Sequence, residues 1–183
     1  MKTRLGFVLI ALTTIAGARA QWSVDYMSTP RYNMGVAQFA SGAVFVTDSW
    51  ERYDATNHVW SNGLLSDARI SIAAAQSGTK AYFAGGKKGL FTDYVYVNNV
   101  DIYDDVTHAW TKNTLSVARE IGGTGALDTK VFFAGGRSAI TMYNTVDIFD
   151  SITGKKTRGK LSQARTDIAV GAAGGKIVFA GGW

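Results

Sequence analysis

The sequence predicts an all-β protein made of repeated four-stranded antiparallel sheets. The first observation behind this is a segment that occurs three times: KAYFAGG from Lys80 to Gly86, KVFFAGG from Lys130 to Gly136 and KIVFAGG from Lys176 to Gly182, at steps of 50 and 46 residues. Each copy is a short apolar run fit for a buried strand, closed by a glycine pair that permits positive φ or close backbone approach. The second is that neighbours return with it: an arginine stands eleven residues before each lysine (Arg69, Arg119, Arg165). The third is composition. With 21 glycines, one proline, 46% hydrophobic and 12% aromatic residues, the chain reads as short strands separated by turns.

The chain opens on a different kind of segment. Residues 1–20 begin with Lys2 and Arg4, continue with an apolar run from Leu5 to Ile15 and end in Ala18-Arg19-Ala20. That is the layout of a secretory signal peptide, with cleavage expected after Ala20 and a secreted or periplasmic destination. The run is too short to span a bilayer comfortably, so no stable membrane insertion is expected after cleavage. The mature chain, 21–183, loses Lys2, Arg4 and Arg19 and no acid, so the formal charge falls from +5 to +2. The remaining basic residues are scattered, with Lys87-Lys88 and Lys155-Lys156 as pairs, and form no stripe to follow a phosphate backbone. Nucleic acid is not an expected partner. No cysteine is present, so an exported domain must be held by its core and its sheets, without thiol catalysis or thiolate metal sites.

The segment from Gln21 to Trp60 is a degenerate first repeat. Arg31 keeps its place nine residues after Trp22, as Arg69 does after Trp60 and Arg119 after Trp110. Thr47-Asp48 occupies the glycine-pair positions, and Trp50-Glu-Arg-Tyr-Asp54 stands where Val100-Asp-Ile-Tyr-Asp104 and Val146-Asp-Ile-Phe-Asp150 stand later. Each full repeat reads as strand a, rich in small residues (Ser71 to Ala75, Gly122 to Ala126, Ile168 to Ala173), strand b at the anchor, strand c at VDIYD or VDIFD, and strand d around the tryptophan. Repeats run over about 22–59, 60–109, 110–155 and, in part, 156–183. A period near 50 residues with four strands per unit points to the blades of a propeller, whose crowded innermost strands need small side chains.

An arginine, an apolar strand ending in a glycine pair, a Tyr-Asp or Phe-Asp strand end and a tryptophan, in that order, resemble the kelch repeat over nearly all of 21–183. The resemblance implies a kelch-type β-propeller, with about three and a half blades present. It implies that the glycine pairs (Gly85 and Gly86, Gly135 and Gly136, Gly181 and Gly182) end strand b. It also implies that Trp60 and Trp110 pack between blades and that Trp22 begins a lone strand d. The sequence departs from the pattern at Thr47-Asp48 and at Lys156, which replaces the third tryptophan. The blade count falls short of the roughly four to eight of closed propellers. The expectation is therefore an incomplete propeller belonging to a longer secreted protein, with self-association of arcs as the other route to a ring.

Catalytic constellations are sparse. His58 and His108 are repeat-equivalent, each two residues before a tryptophan, which suits a scaffold better than a shared metal. Asp101, Asp104, Asp147 and Asp150 recur in the same way and are read as turn and strand-end caps. Gly122-Gly-Thr-Gly125 lacks the strand-to-helix setting of a phosphate loop. Neither a cofactor nor a metal is expected. Among kelch enzymes, the galactose-oxidase type needs a cysteine-linked tyrosine, which a chain without cysteine cannot form. The sialic acid mutarotase type needs only arginines and carboxylates, for which Arg31, Arg69, Arg119 and Arg165 are the candidates. Their recurrence in register favours a bracing role instead.

The favoured function is a non-catalytic extracellular module that recognises protein or glycan. The b–c connection varies most, with thirteen residues from Lys87 to Asn99 in the second repeat and nine from Arg137 to Thr145 in the third. Variable loops on a constant frame are where specificity resides. Alternating strand direction puts b–c and d–a connections at one end of the repeat. That end would display Lys87, Lys88, Phe91, Tyr94 and Tyr96 from the second repeat and Arg137, Met142 and Tyr143 from the third.

Overall fold

A computed structural model of the chain describes residues 7–9, 23–28, 31–89 and 93–183. The chain divides into two units, Met1–Tyr32 and Asn33–Trp183. In the first, β1 (Phe7–Leu9) pairs antiparallel with β2 (Ser23–Asp25). The lone strand d is expected to begin at Trp22, which lies outside the described residues, and the strand that follows it, β2, is paired with β1.

In the second unit every regular element among the described residues is a strand. Sheet I consists of β3 (Gly35–Phe39), β4 (Gly42–Val46), β5 (Ser49–Asp54) and β6 (Val59–Leu64), hydrogen-bonded in chain order and antiparallel throughout. Next come β7 (Ala73–Ser77) and β8 (Lys80–Ala84), a small hairpin of β9 (Lys87–Lys88) and β10 (Val95–Tyr96), then β11 (Asn99–Asp104) and β12 (Ala109–Thr114). Sheet II has the order β7-β8-β11-β12. Sheet III repeats the plan with β13 (Gly123–Leu127), β14 (Lys130–Ala134), the hairpin β15 (Arg137–Ser138) and β16 (Thr141–Met142), then β17 (Thr145–Asp150) and β18 (Lys156–Lys160). Its order is β13-β14-β17-β18. Last, among the described residues, β19 (Ala169–Ala173) pairs with β20 (Lys176–Ala180) alone. These sheets start at strand a and end at strand d, so each tryptophan closes a sheet where the repeat had it opening a unit.

The core lies between sheets. Alternation along β8 sends Ala81 and Phe83 toward Ala37, Val44 and Val46 of sheet I, and Tyr82 and Ala84 toward Val131 and Phe133 of sheet III. A strand buried on both faces needs apolar residues at every position, which is why the anchor reads as a continuous run. Trp110 packs 5.5 Å from Trp50 of sheet I and 5.7 Å from Phe83 of its own sheet, ring centre to ring centre. Trp60 packs on Phe45 and Tyr53 of its own sheet. At the third tryptophan position Lys156 bridges to sheet II by donating from Nζ to the Thr114 carbonyl, with its ammonium 3.6 Å from Asp147. The small residues of β13 have a direct cause. A Cβ on Gly123 or Gly125 would fall 2.8 or 2.7 Å from the Val170 side chain of the terminal hairpin.

Candidate ligand-binding loop end

The b–c and d–a connections meet at one end of the sheets, and the recurring arginines anchor that end from within. Arg119 is fully buried. Its Nε donates to the Gly135 carbonyl at 2.7 Å, and its terminal nitrogens donate to the Val117 and Phe133 carbonyls and to Asp147 Oδ2 at 3.0 Å. Burial pushes its guanidinium below the ordinary value, opposed by the Asp147 charge. Arg69 repeats the arrangement, donating to Gly85, Asp67 and Phe83 carbonyls and lying 2.7 Å from Asp101. Each of these carboxylates also accepts a backbone N–H from the d–a loop: Ser66 for Asp101 and Ser116 for Asp147, with the Ser116 hydroxyl donating as well. Asp101 and Asp147 are therefore buried partners of arginine, not the strand-end caps expected from their position. Asp104 and Asp150 do cap their turns, accepting N–H groups of the two residues that follow at i+2 and i+3.

The glycine pairs join neighbouring sheets. Gly85 and Gly86 have φ of 65° and 101°, Gly135 and Gly136 of 57° and 103°. The second N–H of each pair donates across to the next sheet's arginine, Gly86 to the Arg119 carbonyl at 3.0 Å and Gly136 to that of Arg165 at 2.8 Å. A Cβ on Gly85 or Gly135 would lie 2.4 Å from that same carbonyl, so no side chain fits. Arg165 is partly exposed and donates to the Gly181 carbonyl and to Gln163 Oε1. Arg31 lies in the first unit and is half-buried. The final pair, Gly181 and Gly182, is exposed with φ of 70° and 79°.

On this base the two variable loops fold as the hairpins β9–β10 and β15–β16. Ile70 and Lys87 exchange backbone hydrogen bonds, as do Glu120 and Arg137, tying each hairpin to its own d–a loop. Lys87 Nζ lies 4.3 Å above the Tyr94 ring and 2.9 Å from Glu120 Oε1, while Arg137 Nε lies 3.6 Å from Glu120 Oε2. One carboxylate thus clamps the bases of both loops. Lys88 is exposed and paired with Asp67 at 2.8 Å; Tyr96 and Met142 are half-buried; the Tyr143 hydroxyl is bonded to Ser138 Oγ at 2.7 Å. Phe91 lies outside the described residues. The loop tips also present Val95, 56% exposed, and Ile140, 100% exposed. Glu120, Val95 and Ile140 escaped the sequence reading. Glu120 had one available signal: it is an acid directly after a repeat arginine where the other copies have Ile70 and Thr166.

The histidines sit at the opposite end. His58 and His108 both have φ of 55° in the c–d turn, and each Nδ1 is bonded at 2.8 Å to the tyrosine hydroxyl of its own strand c, Tyr53 or Tyr103. In sheet III both partners change together, to Phe149 and Gly154. A groove between sheets II and III at this end is lined by Lys80, Tyr82, Asp104, Lys112 and Phe149. Among the described residues, no three His, Cys, Asp or Glu side chains gather as a metal site. Nor, among them, is any helix long and apolar enough to cross a membrane. In comparison with known proteins, the chain matches no family model and no curated protein.

Proposed function

We propose that the sheets are blades of a kelch-type β-propeller arc and that the chain is a non-catalytic extracellular binding module. Its loop end recognises a protein or glycan. The observation that carries this reading is the pair of neighbouring hairpins clamped on Glu120. They hold Ile140 and Val95 in solvent beside the cations Lys88 and Arg137, a mixture of apolar and basic groups suited to a partner surface or a sugar face. Pre-formed loops also lower the ordering cost of binding. The leader, residues 1–20, belongs to the same proposal, and cleavage after Ala20 would remove β1 and leave β2. The arginine chemistry of a sugar-active enzyme gains no support, because Arg69 and Arg119 spend their guanidinium donors on carbonyls and aspartates inside the sheets.

The test is to screen the chain against panels of immobilised glycans and extracellular proteins, beside a variant whose residues 87–98 are replaced by a short turn. Loss of the recognised ligands at an unchanged melting temperature is the expected result. Ligands retained by the loop-shortened variant would assign recognition elsewhere.

A further inference from the structure

We propose that the groove between sheets II and III, at the end opposite the hairpin loops, binds a small zwitterion with an apolar side chain, of the class of the free aromatic α-amino acids. The site is separate from the loop end and does not depend on the reading given to it.

The floor of the groove is one face of sheet II. Residues opposite one another in neighbouring strands share a face, as do residues two apart along a strand. The register places Lys80, Asp104 and Ala109 side by side in one row, and Tyr82, Ile102 and Thr111 in the next. The first row carries charge, and the second grades from buried Tyr82 through half-buried Ile102 to exposed Thr111. Sheet III supplies the far wall with Phe149, whose ring lies 5.6 Å from that of Tyr82, and Gly154. The space between is about 330 Å³, within the range of small-molecule sites.

The same groove occurs between sheets I and II, with about 280 Å³ of space, and there the chain satisfies its own groups. Arg52, at the position of Ile102, donates to Asp54 at 3.3 Å and to Asp105 of sheet II at 3.4 Å. His108, at the position of Gly154, is bonded to Tyr103, at the position of Phe149. Between sheets II and III all three are replaced by residues without a polar side-chain group. Gly154 has positive φ as His108 does, and a Cβ there would meet nothing within 4 Å, so the place of the missing ring stays open. The acid is kept. Asp104 spends Oδ1 on the Val106 and Thr107 N–H groups, and its Oδ2 meets neither a donor nor a cation among the described residues. Lys80 donates to the Ser151 carbonyl at 2.8 Å and, like the exposed Lys112 at the rim, meets no carboxylate among the described residues.

One open carboxylate oxygen and two unmatched ammonium groups around an apolar floor set the chemistry of the guest. A carboxylate answers Lys80 and Lys112, and an ammonium answers Asp104, each through the stronger, charge-assisted kind of hydrogen bond. Lys80 and Asp104 are direct cross-strand neighbours, with Cβ atoms about 5 Å apart. That closeness favours a guest whose two charges share one carbon, as in an α-amino acid. Its apolar side chain then lies over Ile102 toward Phe149. An anion alone meets Asp104 as a like charge, and an amine alone meets both lysines.

The probe is L-phenylalanine, titrated into the isotope-labelled full chain and followed by amide NMR shifts. Saturable shifts at residues 104–109 and at Gly154 are expected, with a Kd on the order of millimolar or below. Hydrocinnamate, which lacks the ammonium, and phenethylamine, which lacks the carboxylate, should each bind about tenfold more weakly, the usual scale for one charged hydrogen bond. D104N keeps an oxygen for the two N–H groups of the turn and should weaken phenylalanine about tenfold without weakening hydrocinnamate. G154H places a ring where His108 stands in the other groove and should abolish binding. An unchanged melting temperature establishes that each variant folds, and D104N decides alone if G154H does not. No saturable shifts, shifts confined to another part of the chain, or equal affinity for hydrocinnamate or phenethylamine would each overturn the proposal. So would an affinity indifferent to D104N or to a folded G154H.

Discussion

Arg119 and Arg165 occupy equivalent places in sequence, and their surroundings make them different residues energetically. Arg119 and Asp147 are both fully withdrawn from solvent and meet at 3.0 Å, with the remaining guanidinium donors on carbonyls. Taking one partner away leaves the other charge buried and unpaired, at a cost of about 3–5 kcal/mol. R119A should therefore lower the urea midpoint severely. R165A, removing a partly exposed group, should shift stability by about 0.5 kcal/mol or less. Equal effects of the two substitutions would show that burial of the ion pair has no energetic weight. This pairing was only half legible in the sequence. The arginines stood out by recurrence, but Asp101 and Asp147 resemble Asp104 and Asp150 in every local respect. Only the fold reveals that the first two face inward to a loop far away in the chain while the last two turn back on their own backbone.

At the scale of the element, strands announced themselves and hairpins did not. The anchors at Lys80, Lys130 and Lys176 begin β8, β14 and β20 at the residues expected. The expected strand a begins one or two residues early in all three copies, because Ser71-Ile72, Gly122 and Ile168 belong to the connection. The hairpins β9–β10 and β15–β16 pair only two residues on each side, too few for an alternation to be read. The c–d turns are the opposite case, where one aspartate organises the element. Asp150 accepts the N–H groups of Thr153 and Ile152 and the Thr129 hydroxyl, with Lys130 3.7 Å away. The Thr153 N–H above all, helped by Ile152, lowers its pKa to about 2, against a smaller opposing effect of burial. Asp54 is lowered to about 2 as well, by the N–H groups of Asn57 and then Thr56, again against burial. A folded-state pKa below the unfolded value of about 3.9 means stability that is complete above that pH and is lost as pH falls toward 2. Unfolding measured from pH 5 to pH 2 should show a D54N/D150N variant losing less stability than the parent over that window. Parallel curves would refute the assignment.

For the Asn33–Trp183 unit, the layered core sets the order of opening. Sheet II is packed on both flanks, by Val44 and Val46 from one side and Val131 and Phe133 from the other. Among the described residues the β19–β20 hairpin is packed on one flank, where Phe179 meets Phe132 at 6.3 Å, and leaves Val178 57% and Trp183 64% exposed. Such arrays are stabilised by neighbour-to-neighbour terms, so units flanked on one side open first. Amide exchange by mass spectrometry should be slowest in β8 and fastest, among the strands of this unit, in β20. A uniform rate across the sheets would mean a single cooperative block instead.

The glycine welds carry a consequence for how such a chain can change over time. Gly86 reaches Arg119, and Gly136 reaches Arg165, through main-chain atoms on both sides. The step from one sheet to the next is thus measured by a ruler that contains no side chain. Wedge residues on the flanks can then differ between repeats, with Lys156 where Trp110 stands and Phe149 and Gly154 where Tyr103 and His108 stand, while the main-chain joint is the same. Loop sequences inherit the same licence: they ride on a frame whose spacing is indifferent to what they say.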